Sequence, residues 1–347
     1  MSNEVWRLAR KPLAGWPVAD DFRWQFEDMP EPALGQMLTR TIYLSLDPYQ
    51  WGRRRSGAEQ PGDICHGRTV SEVVQSRMDT YAEGDIVFNT NGWQAWGLTG
   101  VNIDAFGYMF PRKIDPDLAP ISTAIGVMGM LGLTAYAGLV VQCEPKPGET
   151  LVVSAASGGV GQVVCQLGRL YGCRVVAIAG SDEKLEYLKT LGVDAAVSHR
   201  SPSFAAELRQ ACPDGCDIYF ENVGGAVFDG VLPLLNVHSR ISLCGLISQY
   251  GNEEGQDPRS LWRIRGNAAF ERNSVVVHDL FVGNFVAEHQ DRFLEEMGGY
   301  LRAGDVRYLE DKRLGLENTP AVFAQMLAGG TFGKTLVVVS EDPTLSS

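Results

Sequence analysis

The chain has 347 residues, 45% of them apolar and 21% charged, and a formal net charge of −12. That length exceeds what one hydrophobic core usually serves, so two domains are expected. The acidic balance argues against nucleic acid as a partner, because phosphate binding runs on clustered Lys and Arg and the only dense basic cluster is Arg53-Arg54-Arg55. Seven scattered cysteines point to the reducing cytoplasm, as does an N-terminus without a basic stretch followed by an apolar one and a cleavage site.

In chain order, residues 38–44 (LTRTIYL), 69–74 (TVSEVV) and 85–88 (DIVF) read as short strands separated by Gly- and Pro-containing turns, which predicts a mostly-β domain. Residues 121–143 carry no charge and are long enough to cross a bilayer at roughly 20 residues. Glycines at Gly126, Gly129, Gly132 and Gly138, and the lack of a second such span, favour a buried, close-packed helical region instead. Beyond it, compact apolar runs alternate with segments of helical period. Strands are predicted at 151–154, 174–179, 195–197, 218–220 and 240–244, with helices at 160–171, 183–191, 204–210 and 227–235 between them. This alternation calls for a parallel sheet covered on both faces. Residues 249–267 read as a mobile polar loop, 275–282 as a strand, 289–302 as an amphipathic helix and 334–339 (KTLVVV) as a closing strand.

The first strand of the alternation runs into Ala155-Ala156-Ser157-Gly158-Gly159-Val160-Gly161, where a helix starts. Small residues let the backbone approach a pyrophosphate, whose charge then meets the free N–H groups of the helix start. A glycine-rich string alone is weak evidence, but here it has the strand, turn and helix context that a dinucleotide site requires. The end of the second strand separates NAD from NADP. It reads Ala179-Gly180-Ser181-Asp182-Glu183-Lys184, with no acid directly at the strand end. Lys184 falls in the first helical turn, in reach of a 2′-phosphate, and His199 and Arg200 add charge on the same side. The plainer reading makes Lys184 a solvated helix residue and Asp182 an N-cap. An aspartate engaged as a cap does not hold a ribose, so NADPH is the expected cofactor.

Six segments, in order along nearly the whole chain, resemble those of the medium-chain dehydrogenase/reductases. They are Tyr43-Leu-Ser-Leu-Asp-Pro-Tyr49, Gly132-Leu-Thr-Ala-Tyr136, Ala155 to Gly161, Tyr219-Phe-Glu-Asn-Val-Gly-Gly225, Cys244-Gly-Leu-Ile-Ser-Gln-Tyr250 and Gly333-Lys-Thr335. The similarity is to the zinc-free branch of prostaglandin reductases, alkenal double-bond reductases and curcumin reductases. It implies an α/β fold: a Rossmann doubly wound parallel sheet over 123–302, and a GroES-like mostly-β domain from 1–122 and 303–347. It implies a cofactor site along Thr134, Gly158, Gly159, Val160, Gly161, Ser181, Lys184, His199, Arg200, Asn222 and Cys244, a substrate pocket with Tyr49 and Met130, and Tyr250 facing the substrate carbonyl. Members commonly form homodimers. The chain departs from the branch at Gln50-Trp51, Leu131, Asp279-Leu280 and His199, where relatives carry Met-Arg, Pro, Gly-Phe and a tyrosine.

Zinc chemistry needs Cys and His ligands at set spacings. Cys65-His66 lacks a following Gly-His-Glu, and Cys212 and Cys216 have no second pair nearby, so no metal is expected. Without a Lewis acid, alcohol oxidation loses the group that stabilises its alkoxide. Enone reduction needs only hydride at the β-carbon and a donor for the developing enolate oxygen. Tyr250 can supply that O–H; alternatively it only walls the pocket, and Tyr49 is equally a packing residue. The expected activity is NADPH-dependent reduction of the C=C bond of α,β-unsaturated ketones or aldehydes, with no nucleic-acid or membrane partner. An NADPH:quinone reductase and a non-catalytic NADPH-binding protein are the alternatives.

Overall fold

The computed structural model describes residues 2–253 and 256–345. They divide into two compact units, residues 1–129, 310–331 and 335–347 in one, and residues 130–309 and 332–334 in the other.

In the first unit β1 (Ser2–Leu8) and β2 (Phe22–Asp28) pair antiparallel, with Trp6 opposite Trp24 and their rings 5.0 Å apart. A larger sheet is centred on β3 (Gln36–Ser45), which pairs with β4 (Thr69–Ser76). It continues through β5 (Ile86–Asn89), while β6 (Trp96–Gly100) pairs with β3 off this path and β7 (Arg112–Lys113) closes the edge. On its other side β3 takes the strands Lys334–Val338 and Glu310–Leu314, so the chain returns to this sheet at its C-terminal end. The strands read from sequence at 38–44, 69–74 and 85–88 lie within β3, β4 and β5 apart from Asp85, one residue before β5.

Among the helices of this unit that escape the sequence pattern is α1 (Tyr49–Ser56). Its arginines do not form a basic surface patch. Arg54 is wholly buried, pairs with Glu59 at 3.0 Å, and lies over the rings of Trp93, Phe323 and Phe22. A buried guanidinium survives in this setting because a carboxylate and aromatic faces replace its hydration. Gln50 and Trp51 are also buried, with Gln50 Nε2 donating to the Ser45 carbonyl and Trp51 Nε1 to that of Gly15.

The uncharged run 121–143 divides between the units. Ile121, Ala124 and Ile125, in the 3₁₀ turn Ile121–Ile125, join the core of the first. α2 (Met130–Tyr136) and the π-helical Ala137–Cys143 belong to the second. Gly138 shows why the stretch is glycine-rich, since a Cβ there would sit 2.7 Å from the Phe220 ring. Among the described residues no helix is long and apolar enough to cross a membrane.

The second unit then alternates: β8 (Thr150–Val153), α3 (Gly161–Leu170), β9 (Arg174–Ala179), α4 (Asp182–Thr190), β10 (Ala195–Ser198), α5 (Phe204–Ala211), β11 (Cys216–Glu221), α6 (Gly225–Val231) and β12 (Leu235–Leu243). It ends with α7 (Pro258–Asn273), β13 (Val276–Asp279) and α8 (Gly283–Ala303). The sheet is parallel throughout, in the order β10-β9-β8-β11-β12-β13. β8 and β9 are buried almost end to end, as strands covered on both faces must be. Strand order reverses direction between β8 and β11, the position at which open α/β sheets hold ligands.

The reading of 249–267 as a loop is corrected here: α7 starts at Pro258, while residues 254 and 255 lie outside the described residues. Asp257 caps the helix, its carboxylate accepting from the N–H groups of Arg259 and Ser260, and Pro258 occupies the first turn, where no N–H is needed. The polar composition belongs to a mostly solvated helix that buries Trp262 and Gly266.

Candidate functional site

The first element of the site is the turn from β8 to α3. Ala155 takes the left-handed conformation at φ +47°, and the Gly158 N–H closes the turn onto its carbonyl at 3.0 Å. Helix α3 starts at Gly161 with Val160 at the cap position, and no side chain of the cap bonds its first N–H groups. Of those groups the Gln162 and Val163 N–H already donate to the Gly158 and Val160 carbonyls, both at 3.0 Å, so an anion here would meet the turn before them and the positive end of the helix. A Cβ on Gly161 would lie 2.4 Å from the Ala155 carbonyl oxygen and 2.7 Å from the Ala156 Cα, so only glycine lets the helix leave the strand this closely. Gly159 packs under Leu131 and the stem of Lys334, and Gly158 bridges to Gly333. The turn is thus held from behind by the Gly333-Lys334 segment. Thr134 lies buried in α2, and Met130, half-buried, opens that helix.

At the end of β9 the chain passes through Gly180 to Ser181, which is the cap position of α4. Asp182 is therefore corrected from N-cap to first helical residue; it is exposed, and the capping argument for NADP does not hold. Positive charge carries that argument instead. A Cβ on Gly180 would stand 2.7 Å from His199 Nε2 and 3.2 Å from Arg200 Nε, so both side chains lie across the strand end. Burial and, after it, the Arg200 and Lys184 charges hold the His199 imidazole below its ordinary value.

β11 and β12 supply the third element. The Asn222 side chain donates to the Ser154 carbonyl at 2.8 Å, and its backbone N–H donates to Ser154 Oγ at 2.8 Å. Gly224 and Gly225 follow at φ +75° and +56°, two successive left-handed residues that only glycines adopt without strain. The Cys244 and Gly245 N–H groups both donate to the Glu221 carbonyl at 3.0 Å. Burial pushes the Cys244 thiol up to about 12, so it stays protonated. Tyr250 is half-buried, packs against the core cluster of this unit, and accepts from the Leu246 N–H at 3.4 Å; burial raises its hydroxyl above the ordinary value.

Glu221, missed in the sequence, closes the last strand-end turn from beneath. It is wholly buried, and Tyr219 Oη, Ser154 Oγ and the N–H groups of Val223 and Gly224 lie 2.8 to 3.1 Å from its Oε1, with Trp262 Nε1 3.0 Å from its Oε2. Burial raises this carboxyl against the opposing pull of those donors. Tyr219 and Trp262 are far apart in sequence and no local pattern announces their shared partner.

Gly158 to Gly161, Ser181, His199, Asn222 and Cys244 thus stand at the C-terminal ends of β8, β9, β10, β11 and β12, and Lys184 and Arg200 follow within the same turns. Tyr49 belongs to the first unit, where its hydroxyl lies 2.6 Å from His66 Nε2 and the Arg68 guanidinium stands 5.0 Å from its ring centroid. Burial pushes that phenol up to about 12. Asp279, another departure from the branch, pairs with Arg259 and Arg263 of α7. Among the described residues no group of three or more His, Cys, Asp or Glu could hold a metal ion.

Residues 4–100 match a family model described as an N-terminal domain of oxidoreductase, and residues 159–280 one described as a zinc-binding dehydrogenase. The chain is 40% identical over 352 residues to the NADPH-dependent curcumin reductase of Escherichia coli, covering 98% of each. It is 36% identical over 338 residues to prostaglandin reductase 1 of Rattus norvegicus, covering 96% of this chain and 98% of the relative. The NADP(+)-dependent 2-alkenal reductase of Nicotiana tabacum is 36% identical over 314 residues, with 88% of each covered. The crystal structure of CurA from Vibrio vulnificus in complex with NADPH superposes with a TM-score of 0.87 at 39% identity, covering 98% of this chain and all of that one. With this identity over almost the full length, the chain belongs to the medium-chain dehydrogenase/reductase family, in the branch of the curcumin, prostaglandin and alkenal reductases.

Proposed function

We propose that this protein is an NADPH-dependent oxidoreductase that reduces the carbon–carbon double bond of α,β-unsaturated ketones or aldehydes. The observation that carries the cofactor is the placing of His199 and Arg200 across a strand end with no acid at it, with Lys184 in the first turn of the helix that follows, beside a glycine turn that a Cβ would fill. Gly158, Gly159, Val160 and Gly161 would hold the pyrophosphate, and Ser181, Lys184, His199 and Arg200 the 2′-phosphate. Thr134, Asn222 and Cys244 would line the rest of the dinucleotide. The bound nicotinamide supplies the hydride for the β-carbon. The substrate's double-bond electrons would move toward its carbonyl oxygen, where the Tyr250 hydroxyl would donate a hydrogen bond and hold the developing charge; the enolate would then take a proton at its α-carbon, from solvent or through Tyr250, to give the saturated carbonyl. Met130 belongs to the substrate pocket in this reading.

Lys184→Ala tests the cofactor assignment. Removing one charge-assisted phosphate contact should raise the KM for NADPH about tenfold or more, with the KM for NADH nearly unchanged. Equal effects on both cofactors would refute the role of Lys184.

The same reading takes the protein as a cytoplasmic homodimer. All seven cysteines are free, which suits a reducing compartment. β13 ends the parallel sheet, with Val276, Val237 and Phe281 about half exposed or more. An unprotected apolar edge is a template for pairing with a second copy. Sedimentation at twice the chain mass would support the dimer; sedimentation at the chain mass would rule it out.

A further inference from the structure

We propose that Glu221 is a positioning residue that fixes the nicotinamide end of the site through a hydrogen bond to Trp262. This rests on the NADPH reading above. The carboxylate is wholly buried and forms no salt bridge among the described residues; hydrogen-bond donors alone surround it. A buried carboxylate is costly unless every lone pair is used, so such a group is retained where it sets geometry.

Its reach explains what it sets. Oε1 gathers the N–H groups of Val223 and Gly224, which shapes the turn that follows Asn222. Ser154 Oγ, 3.1 Å from Oε1, accepts from the Asn222 N–H and so joins that turn to the start of the phosphate loop. The Glu221 carbonyl holds Cys244 and Gly245, and the carbonyls of Asn222 and Val223 hold Ile247 and Ser248, which places the segment leading to Tyr250. Oε2 ties this assembly to α7 through Trp262, whose ring stacks on Phe228 at 4.5 Å. The carboxylate thus holds the turn after Asn222 directly, and Cys244 and the segment leading to Tyr250 through the main chain of that turn. Gly180, Lys184, His199 and Arg200 belong to the other end of the site, after β9 and β10.

Glu221→Gln keeps the shape and removes the charge. The amide oxygen will take the place of Oε1, where the donors converge, and the NH₂ group then faces the Trp262 N–H, donor against donor. Turnover of an enone should fall about tenfold and the Kd for NADPH should rise, while 2′,5′-ADP, which occupies only the adenosine end, binds as before. Adding Trp262→Phe removes the opposing donor and should restore part of the loss. Trp262→Phe alone keeps the stacked ring and leaves Oε2 without its donor. It should lower turnover and weaken NADPH without changing 2′,5′-ADP binding, and it serves where the Gln variant does not fold. Wild-type turnover and NADPH affinity in both single variants, or equal weakening of NADPH and 2′,5′-ADP, would overturn the proposal. A wild-type protein without enone turnover would instead refute the functional reading beneath it.

Discussion

Gly161→Ala should weaken NADPH binding by about 10²-fold, the size of effect that a misplacement near 1 Å produces in a preorganised site. The added methyl would stand 2.4 Å from the Ala155 carbonyl oxygen and 2.7 Å from the Ala156 Cα, both backbone atoms that cannot rotate away. Relief requires α3 to move off the end of β8. Ala155 already sits at φ +47° and its carbonyl closes the turn onto Gly158, so the strain spreads into the loop itself. Gly159→Ala provides the internal comparison, because its Cβ meets the end of the Leu131 side chain, which can turn aside. The Gly159 variant should bind NADPH more tightly than the Gly161 variant, and fluorescence titration of NADPH checks the order. A Gly161→Ala protein with wild-type affinity would show that the turn does not hold the pyrophosphate.

Tyr250→Phe should reduce kcat on an enone by about 10²-fold, within the span that a positioned proton or hydrogen-bond donor contributes. NADPH affinity should stay nearly unchanged, since the ring and its packing against the core cluster are kept. Burial raises the Tyr250 hydroxyl above its ordinary value, so the donor remains protonated through the neutral range and imposes no pH dependence of its own there. Steady-state kinetics on one enone, with NADPH binding measured separately, distinguishes the roles. An unchanged kcat would reduce Tyr250 to a pocket wall.

The nucleotide-binding half was legible because its physics is local. A strand buried on both faces is a short apolar run, and 174–179 was bounded to the residue as β9. The phosphate turn was legible for the same reason, its glycines and the helix after it being contiguous. α7 was missed because it is mostly solvated and shows little apolar stripe, although Asp257-Pro258 announces its start. α1 was missed because its buried face mixes Gln50, Trp51 and Arg54 rather than an apolar stripe, and the aromatic partners of Arg54 come from distant segments. Asp182 looked like a cap because Ser181 and Asp182 are both capping residues in sequence, and only the backbone separates them. Glu221 was illegible as an anchor because its role depends on Trp262, in a segment that read as loop.

The most direct test of the reaction is loss of the reduced-nicotinamide absorbance when the protein meets enones, enals and quinones, with NADPH and NADH in parallel. Rapid turnover of enones with NADPH preferred, and little with menadione, is the expected result. Menadione turned over in preference to every enone would make the protein a quinone reductase, and NADPH bound without oxidation across the whole panel would contradict catalysis altogether.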